Sequence, residues 1–283
     1  MVHHQGNTLY GTTVSGGAYG SGTVFDVTTA GTEEVLYSFT GGADGAYPYA
    51  ALFLKGSNLY GTTTEGGAYG YGTVFNLALA GTYTVLHSFA GSPDGSSPVG
   101  SGVVLDKQGN LYGTTQWGGA YNNGTVFDIT KSGTEKMLYS FTGGTDGAEP
   151  MAGLVLDATN NNLYGTTSRA GGTIFLITLP DFTITASPTS ATVSPGQSTS
   201  STLTLSPVAG FSGGVKLSCT VPGGYGLSCG VSPRSVKLSN GASATANLSI
   251  GTSPSTPAGV YKIQAKGVSG TLVHSTTFTL TVQ

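Results

Sequence analysis

Charge is what this chain has least of. Only 8% of its 283 residues are Asp, Glu, Lys or Arg, against about 25% in typical soluble proteins. The few Lys and Arg are scattered, with no stripe that would track a phosphate backbone, so nucleic acid is excluded as an expected partner. Apolar runs are also short. None approaches the ~18 residues of a membrane-spanning helix, and no long window repeats its apolar residues at helical spacing. The opening Met-Val-His-His-Gln carries neither a basic nor an apolar segment, so no signal peptide is visible. Histidine is scarce at four positions, cysteine at two and tryptophan at one. That scarcity limits metal and nucleophile chemistry from the outset. No His-Glu-x-x-His occurs, no Gly-x-Ser-x-Gly elbow accompanies a plausible His and Asp, and no Gly-rich stretch is followed by the Lys-Ser/Thr of a phosphate loop.

What fills the chain is glycine, at 47 positions, with Thr, Ser, Tyr, Val and Phe. This mixture favours pleated strands joined by glycine turns, and the expected class is all-β. The same words recur. Leu-Tyr-Gly-Thr-Thr starts at Leu9, Leu59, Leu111 and Leu163, and each copy leads to Gly-Thr-Val/Ile-Phe at Gly22, Gly72, Gly124 and Gly172. A period of 50 to 52 residues marks stacked supersecondary units.

Each unit reads as four short strands. Leu-Tyr-Ser-Phe-Thr-Gly (36–41, 138–143, with the variant 86–91) is followed by an Asp-Gly turn and a proline (Pro48, Pro98, Pro150). An alternating apolar stretch, Leu-Tyr-Gly-Thr-Thr and Gly-Thr-Val-Phe complete it. Four antiparallel strands per unit predict a β-propeller-like array over residues 7–179, after a disordered start at 1–6; a parallel β-helix is the competing architecture. The glycine inside Leu-Tyr-Gly-Thr-Thr fits close approach by a neighbouring blade. Counting gives fourteen strands, or about 3.5 blades. The expectation is an open arc whose first half-blade exposes an edge for self-association. The chain starts in mid-unit, so the N-terminus is expected to be truncated.

From residue 180 the vocabulary changes. Strands are expected at 182–186, 202–206, 215–221, 227–231, 243–250, 260–267 and 274–282, the number expected of an immunoglobulin-like sandwich over 180–283. Cys219 and Cys229 lie in Lys-Leu-Ser-Cys and Gly-Leu-Ser-Cys. If their strands form a hairpin they face each other, and a disulfide is expected. Acidity is uneven: residues 1–180 hold twelve acids and five bases, and residues 181–283 hold one acid and five bases.

Candidate site residues come from the repeat. Tyr19, Tyr69 and Tyr121 recur in the loop Gly-Gly-Ala-Tyr, and Trp117 beside it in the third copy is the better single candidate, because Ser15, Glu65 and Arg169 in the other copies show that the position need not be apolar for the fold. Exposed loop aromatics suit sugar rings or a protein partner, and packing between blades is the other reading. Asp44, Asp94 and Asp146 are equivalent and offer oxygen ligands for Ca²⁺, although Asp also makes such turns by bonding its own backbone. His87 replaces the Tyr of Tyr37 and Tyr139 and reads as a strand-face substitution without chemistry, as does His274. No catalytic residue, no other metal site and no other cofactor is expected.

The pattern Leu-Tyr-Gly-Thr-Thr…Gly-Gly-Ala-Tyr-Gly-x-Gly-Thr-Val-Phe…Leu-Tyr-Ser-Phe-Thr-Gly-Gly-x-Asp-Gly resembles the GloVer (Gloeobacter/Verrucomicrobia) tandem repeat, over about residues 7–178. Residues 181–283 resemble the Ig-like modules appended to secreted bacterial proteins, through Phe211 to Cys219, Ser228-Cys229 and Ser255 to Tyr261. These resemblances imply an exported or cell-surface protein. The loops around Tyr69, Trp117 and Tyr121 add the expectation of a non-enzymatic protein that binds a polysaccharide or another surface polymer. A spacer in a larger secreted envelope protein or hydrolase is the alternative, and a propeller-type lyase or glycosidase a second one.

Overall fold

A computed structural model describes residues 3–100, 102–131, 133–157, 161–239, 241–270 and 272–283. Its elements are strands, and the chain divides into two compact units, Met1–Ile177 and Thr178–Gln283.

The first unit holds consecutive antiparallel sheets. Sheet 1 is β1 (His3–Gln5), β2 (Thr8–Thr13), β3 (Thr23–Thr28) and β4 (Glu33–Ser38). Sheet 2 is β5 (Phe53–Lys55), β6 (Asn58–Thr63), β7 (Thr73–Ala78) and β8 (Tyr83–Ser88). Sheet 3 is β9 (Val104–Leu105), β10 (Leu111–Thr115), β11 (Thr125–Ile129) and β12 (Glu135–Ser140); sheet 4 has β13 (Val155–Asp157), β14 (Asn162–Thr166) and β15 (Ile174–Thr178).

This grouping corrects the expected strand phase. Met1 and Val2 lie outside the described residues, but His3–Gln5, expected to be disordered, pair with Thr8–Tyr10 as a strand. The strand ending in Leu-Tyr/His-Ser closes sheets 1 to 3 instead of opening them, so sheet 1 has four strands and is no half-blade. The sheet short of a strand is the last one. After β15 the chain leaves the repeat, and the side chains of Ile174 and Leu176 remain 83% and 52% exposed.

The repeated glycines, phenylalanines and threonines have contacts that explain them. In every sheet the Phe of Gly-Thr-Val/Ile-Phe lies over the glycine of Leu-Tyr-Gly-Thr-Thr: a Cβ on Gly61 would stand 2.6 Å from Phe75 Cζ, and one on Gly113 would stand 2.4 Å from Phe127 Cζ. The glycine thus makes room for the ring of its own cross-strand partner, not for a neighbouring blade's backbone. Where β3, β7 and β11 meet β4, β8 and β12, the register slips between Val and Phe in each sheet, an irregularity of the bulge type that re-aims a side chain. Thr13 and Thr23, Thr63 and Thr73, and Thr115 and Thr125 join hydroxyls at 2.8 Å. Thr12, Thr62 and Thr114 donate to carbonyls of the following unit, at Ala50, Pro98 and Pro150. The Phe of Leu-Tyr-Ser-Phe meets the Phe of the next sheet edge to face, Phe39 with Phe75 at 5.3 Å, Phe89 with Phe127 at 5.2 Å and Phe141 with Phe175 at 5.0 Å. Core clusters consequently sit between one sheet and the next.

The second unit is a two-sheet sandwich. Its strands are β16 (Asp181–Ser187), β17 (Ser190–Val193), β18 (Ser198–Val208), β19 (Gly213–Thr220), β20 (Leu227–Ser232), β21 (Ser235–Leu238), β22 (Ala244–Thr252), β23 (Gly259–Ser269) and β24 (Leu272–Val282). One sheet runs β16-β18-β22-β20, the other β17-β24-β23-β19-β21. Strict alternation, as in the burial of every second residue of β16, sends Phe182, Leu203, Leu248, Ile263 and Phe278 into one core. The four-residue strands β17 and β21 are additional to the seven expected, and are too short to leave a visible pattern in the sequence. β17 pairs parallel with β24, from Ser190 opposite Thr279 to Val193 opposite Val282. The Cys219–Cys229 disulfide forms, with Cα atoms 6.2 Å apart. It does not close a hairpin: β19 and β20 belong to different sheets, so the bond staples the two layers together.

Candidate functional site

The loop between the second and third strands of sheets 1 to 3 carries the expected tyrosines. It is held from both ends. Gly22, Gly72 and Gly124 donate backbone N–H to Gly16, Gly66 and Gly118, and the amides of Ala18, Ala68 and Ala120 donate to the hydroxyls of Ser38, Ser88 and Ser140. On Gly72 a Cβ would lie 2.8 Å from Pro98 Cδ, so the repeated proline seats against the loop's base. From this support Tyr19, Tyr69 and Tyr121 stand 64%, 63% and 61% exposed, rather than packed between sheets. The fourth copy has no tyrosine here. Trp117 is half-buried at the loop's base, its backbone exchanging hydrogen bonds with Ser96 at 2.9 and 3.1 Å. Glu65 and Arg169 make the same bridge to Ala46 and Ala148.

Asp44, Asp94 and Asp146 each serve their own turn. Asp44 accepts from the Thr40 amide at 2.8 Å, the Tyr37 hydroxyl at 3.0 Å and the Thr40 hydroxyl. Asp146 repeats this with Thr142 and Tyr139. Burial pushes the Asp146 carboxyl up, but the Thr142 and Tyr139 donors outweigh it and hold the group down at about 2. Burial, then Asp44, pushes the Tyr37 phenol up to about 12. The three aspartates do not converge on a common Ca²⁺ site among the described residues.

What lies over each aspartate differs between junctions. Between sheets 1 and 2, Tyr83 of β8 stacks on Tyr37 at 4.1 Å, and its hydroxyl donates to the Asp44 carbonyl. Between sheets 2 and 3 the two places are taken by His87 and by Glu135, whose counterpart in sheet 1 is Glu33. His87 Nε2 lies 3.1 Å from Asp94 Oδ2, and ligand atoms of His87, Asp94 and Glu135 all fall within 4.8 Å of one another. Between sheets 3 and 4, among the described residues, sheet 4 has no fourth strand to supply an equivalent. A hollow of about 200 Å³ remains, lined by Tyr139, Phe141, Asp146, Phe175 and Leu176.

Residues 1–205 match the family model described as the Gloeobacter/Verrucomicrobia repeat. The chain belongs to this family. The match to the Gloeobacter/Verrucomicrobia repeat runs past the unit boundary at 177 into β18, further than the repeated words themselves. No curated protein matches the chain. Among solved structures it is similar to a family 123 glycoside hydrolase from Clostridium perfringens (10% identity, TM-score 0.31, covering 37% of this chain and 27% of that one). It is also similar to domains 4 and 5 of the S-layer protein SbsC (15%, 0.29, 64% and 98%) and to Salmonella alpha-2-macroglobulin (10%, 0.30, 93% and 25%). The chain thus spans about a quarter of the hydrolase. Overlaps this low carry no functional argument.

Two features of this Gloeobacter/Verrucomicrobia repeat protein were not read from its sequence. In sheet 3, Asp106 accepts from the amides of Gly109 and Asn110 and from the Tyr112 hydroxyl at 3.2 Å. Asp128 faces this group, and burial, then Asp106, push its carboxyl up to about 6. The signal was present, since Asp106-x-x-Gly-Asn is a turn sequence, but Asp128 occupies a strand position where Asp26 and Asn76 recur as scaffold. In the sandwich, a shallow hollow of about 620 Å³ crosses β18, β22 and β20 over Ser200, Ser228, Gly230, Ser249 and Gly251. Gly226-Leu227-Ser228-Cys229-Gly230 has the letters of a nucleophile elbow, yet Ser228 lies along the extended strand β20 instead of on a strand-to-helix turn. His274 rests against Asp181 at 2.7 Å and edge-on to Phe182, as a strand-end pair. Among the described residues no helix is long and apolar enough to cross a membrane.

Proposed function

We propose that the protein is an exported or cell-surface binding protein without catalytic activity, and that its repeat unit recognises a polysaccharide through the loop tyrosines. The observation that carries this reading is the threefold recurrence of a largely exposed tyrosine on a loop tied down by glycine turns and a serine hydroxyl. A loop backbone held in place loses little conformational freedom when a sugar stacks on its ring, so each tyrosine contributes binding free energy at reduced entropic cost. The repeated words are occupied by packing, which leaves recognition to the loops. The disulfide supports an oxidising compartment, where such bonds persist.

The test is a pull-down and affinity series on insoluble and soluble bacterial polysaccharides. Replacing Tyr19, Tyr69 and Tyr121 together by Ser lowers affinity by roughly tenfold or more, since a ring contact is worth about 0.5–1.5 kcal/mol. Trp117→Ala gives a smaller loss, because the ring is half-buried. Retention of full affinity by the triple variant overturns the assignment. A spacer in a larger secreted protein is the second reading, favoured by unit-to-unit bonds such as Thr62 to Pro98; it gains if no polysaccharide is retained.

A further inference from the structure

We propose that His87, Asp94 and Glu135, at the junction of sheets 2 and 3, form a binding site for a divalent transition metal ion of the Zn²⁺ type. His87 comes from β8, Asp94 from the turn after it and Glu135 from the first position of β12. One ring nitrogen and two carboxylates lie mutually within 4.8 Å. Bonds of about 2.0–2.2 Å to a tetrahedral ion require ligand atoms roughly 3.3–3.6 Å apart, a contraction that side-chain rotation supplies.

The donors are held in place. The Asp94 carboxylate also accepts from the Ala90 amide at 2.9 Å, and the His87 ring packs edge-on to Phe89 at 4.8 Å. Outer contacts of this kind orient metal ligands and raise affinity. The His87 and Asp94 side chains keep 20% and 19% of their surface exposed, so an ion here retains a side open to water.

Internal comparison separates this cluster from a chance ion pair. At the equivalent junction between sheets 1 and 2 the same two positions are Tyr37 and Tyr83, whose rings fill the space by stacking. The counterpart of Glu135 in sheet 1 is Glu33, so glutamate is ordinary repeat vocabulary at that position and the departure is His87. At the junction of sheets 2 and 3 that histidine meets a glutamate beside the aspartate common to all three copies. A mixed nitrogen–oxygen set suits Zn²⁺, Co²⁺ or Ni²⁺ over Ca²⁺, which takes six to eight oxygens.

The experiment uses the full chain, stripped with a chelator, with His3 and His4 changed to Ala so that they cannot compete. Titration calorimetry with ZnCl₂ at neutral pH is expected to give one site per chain, Co²⁺ to give a visible absorption band of low-coordinate N/O ligation, and CaCl₂ to give at least tenfold weaker binding. The double variant His87→Tyr/Glu135→Tyr rebuilds the Tyr37–Tyr83 stack and is expected to fold, by circular dichroism and thermal unfolding, yet lose the site. Glu135→Gln keeps the shape and is expected to lower affinity at least tenfold. Absence of Zn²⁺ binding in the starting protein overturns the proposal, as does unchanged stoichiometry and affinity in either variant.

Discussion

The repeat unit and the sandwich solve the same problem differently. Both bury aromatic and aliphatic side chains between β-sheets, but the sandwich gathers them into one core fed by both sheets, whereas the repeat spreads them over clusters that each join one sheet to the next. In a serial array each unit contacts its neighbours, and stability is a sum of local terms. A fault in the sandwich is therefore shared by every strand, while a fault in the array stays close to its origin.

The largest expected effect comes from truncating one buried ring in each part. Phe182→Ala and Phe75→Ala each remove a fully buried side chain and each cost about 3–5 kcal/mol. Hydrogen exchange separates the outcomes: Phe182→Ala raises exchange across all of β16 to β24, and Phe75→Ala raises it in sheets 1 and 2 while β14 and β15 keep their protection. Uniform loss across the array would break the comparison.

A smaller effect tests the glycine–ring contact. Gly61→Ala drives a methyl into Phe75 and costs about 1–3 kcal/mol. Combining it with Phe75→Leu is expected to cost less than the sum of the single changes, in a double-mutant cycle by chemical denaturation. The sandwich counterpart is Gly230→Ala, whose Cβ meets only the rotatable Ser249 hydroxyl at 3.1 Å; it stays within about 0.5 kcal/mol.

A further effect, below that of the glycine–ring contact, is electrostatic. Asp128 in the folded chain keeps its proton up to about 6, above its value when unfolded. The folded state thus binds more protons between the two values, and stability falls as pH rises from about 4 to about 6. Allowing for partial solvent screening, the change is of order 1 kcal/mol. Asp128→Asn is expected to flatten that slope in denaturation curves collected from pH 3.5 to 7. A slope of the same size in the variant would place its origin elsewhere.

Much of the fold could be read from the words alone, because those words are contacts. Glycine under phenylalanine, threonine opposite threonine and proline against the loop base recur wherever the letters recur, so period and strand type were visible. The phase of the sheets was not. His3–Gln5 is a three-residue strand without alternation, and whether Leu-Tyr-Ser opens or closes a sheet depends on pairing, which leaves no mark on spacing. The loop tyrosines were legible as a recurrent aromatic in a glycine loop. His87 was legible only as a departure from tyrosine, since its meaning comes from Glu135, forty-eight residues later in another sheet. The disulfide pair was evident from its short spacing, but its role in joining layers was hidden, because a ten-residue separation looks the same within a hairpin and across a sandwich.

The parallel pairing of β17 with β24 bears on how the chain responds to force. The sandwich's second strand and its last strand run side by side, joined from Ser190–Thr279 to Val193–Val282, with further bonds from Thr279 N to the Thr189 carbonyl and from Gln283 N to the Val193 carbonyl. Tension applied between the sandwich's two ends pulls these strands in opposite directions along their length. All of their cross-links then carry load at once, in shear, instead of opening one after another like a zipper. The same sheet that closes the fold at rest is thereby a mechanical latch under traction.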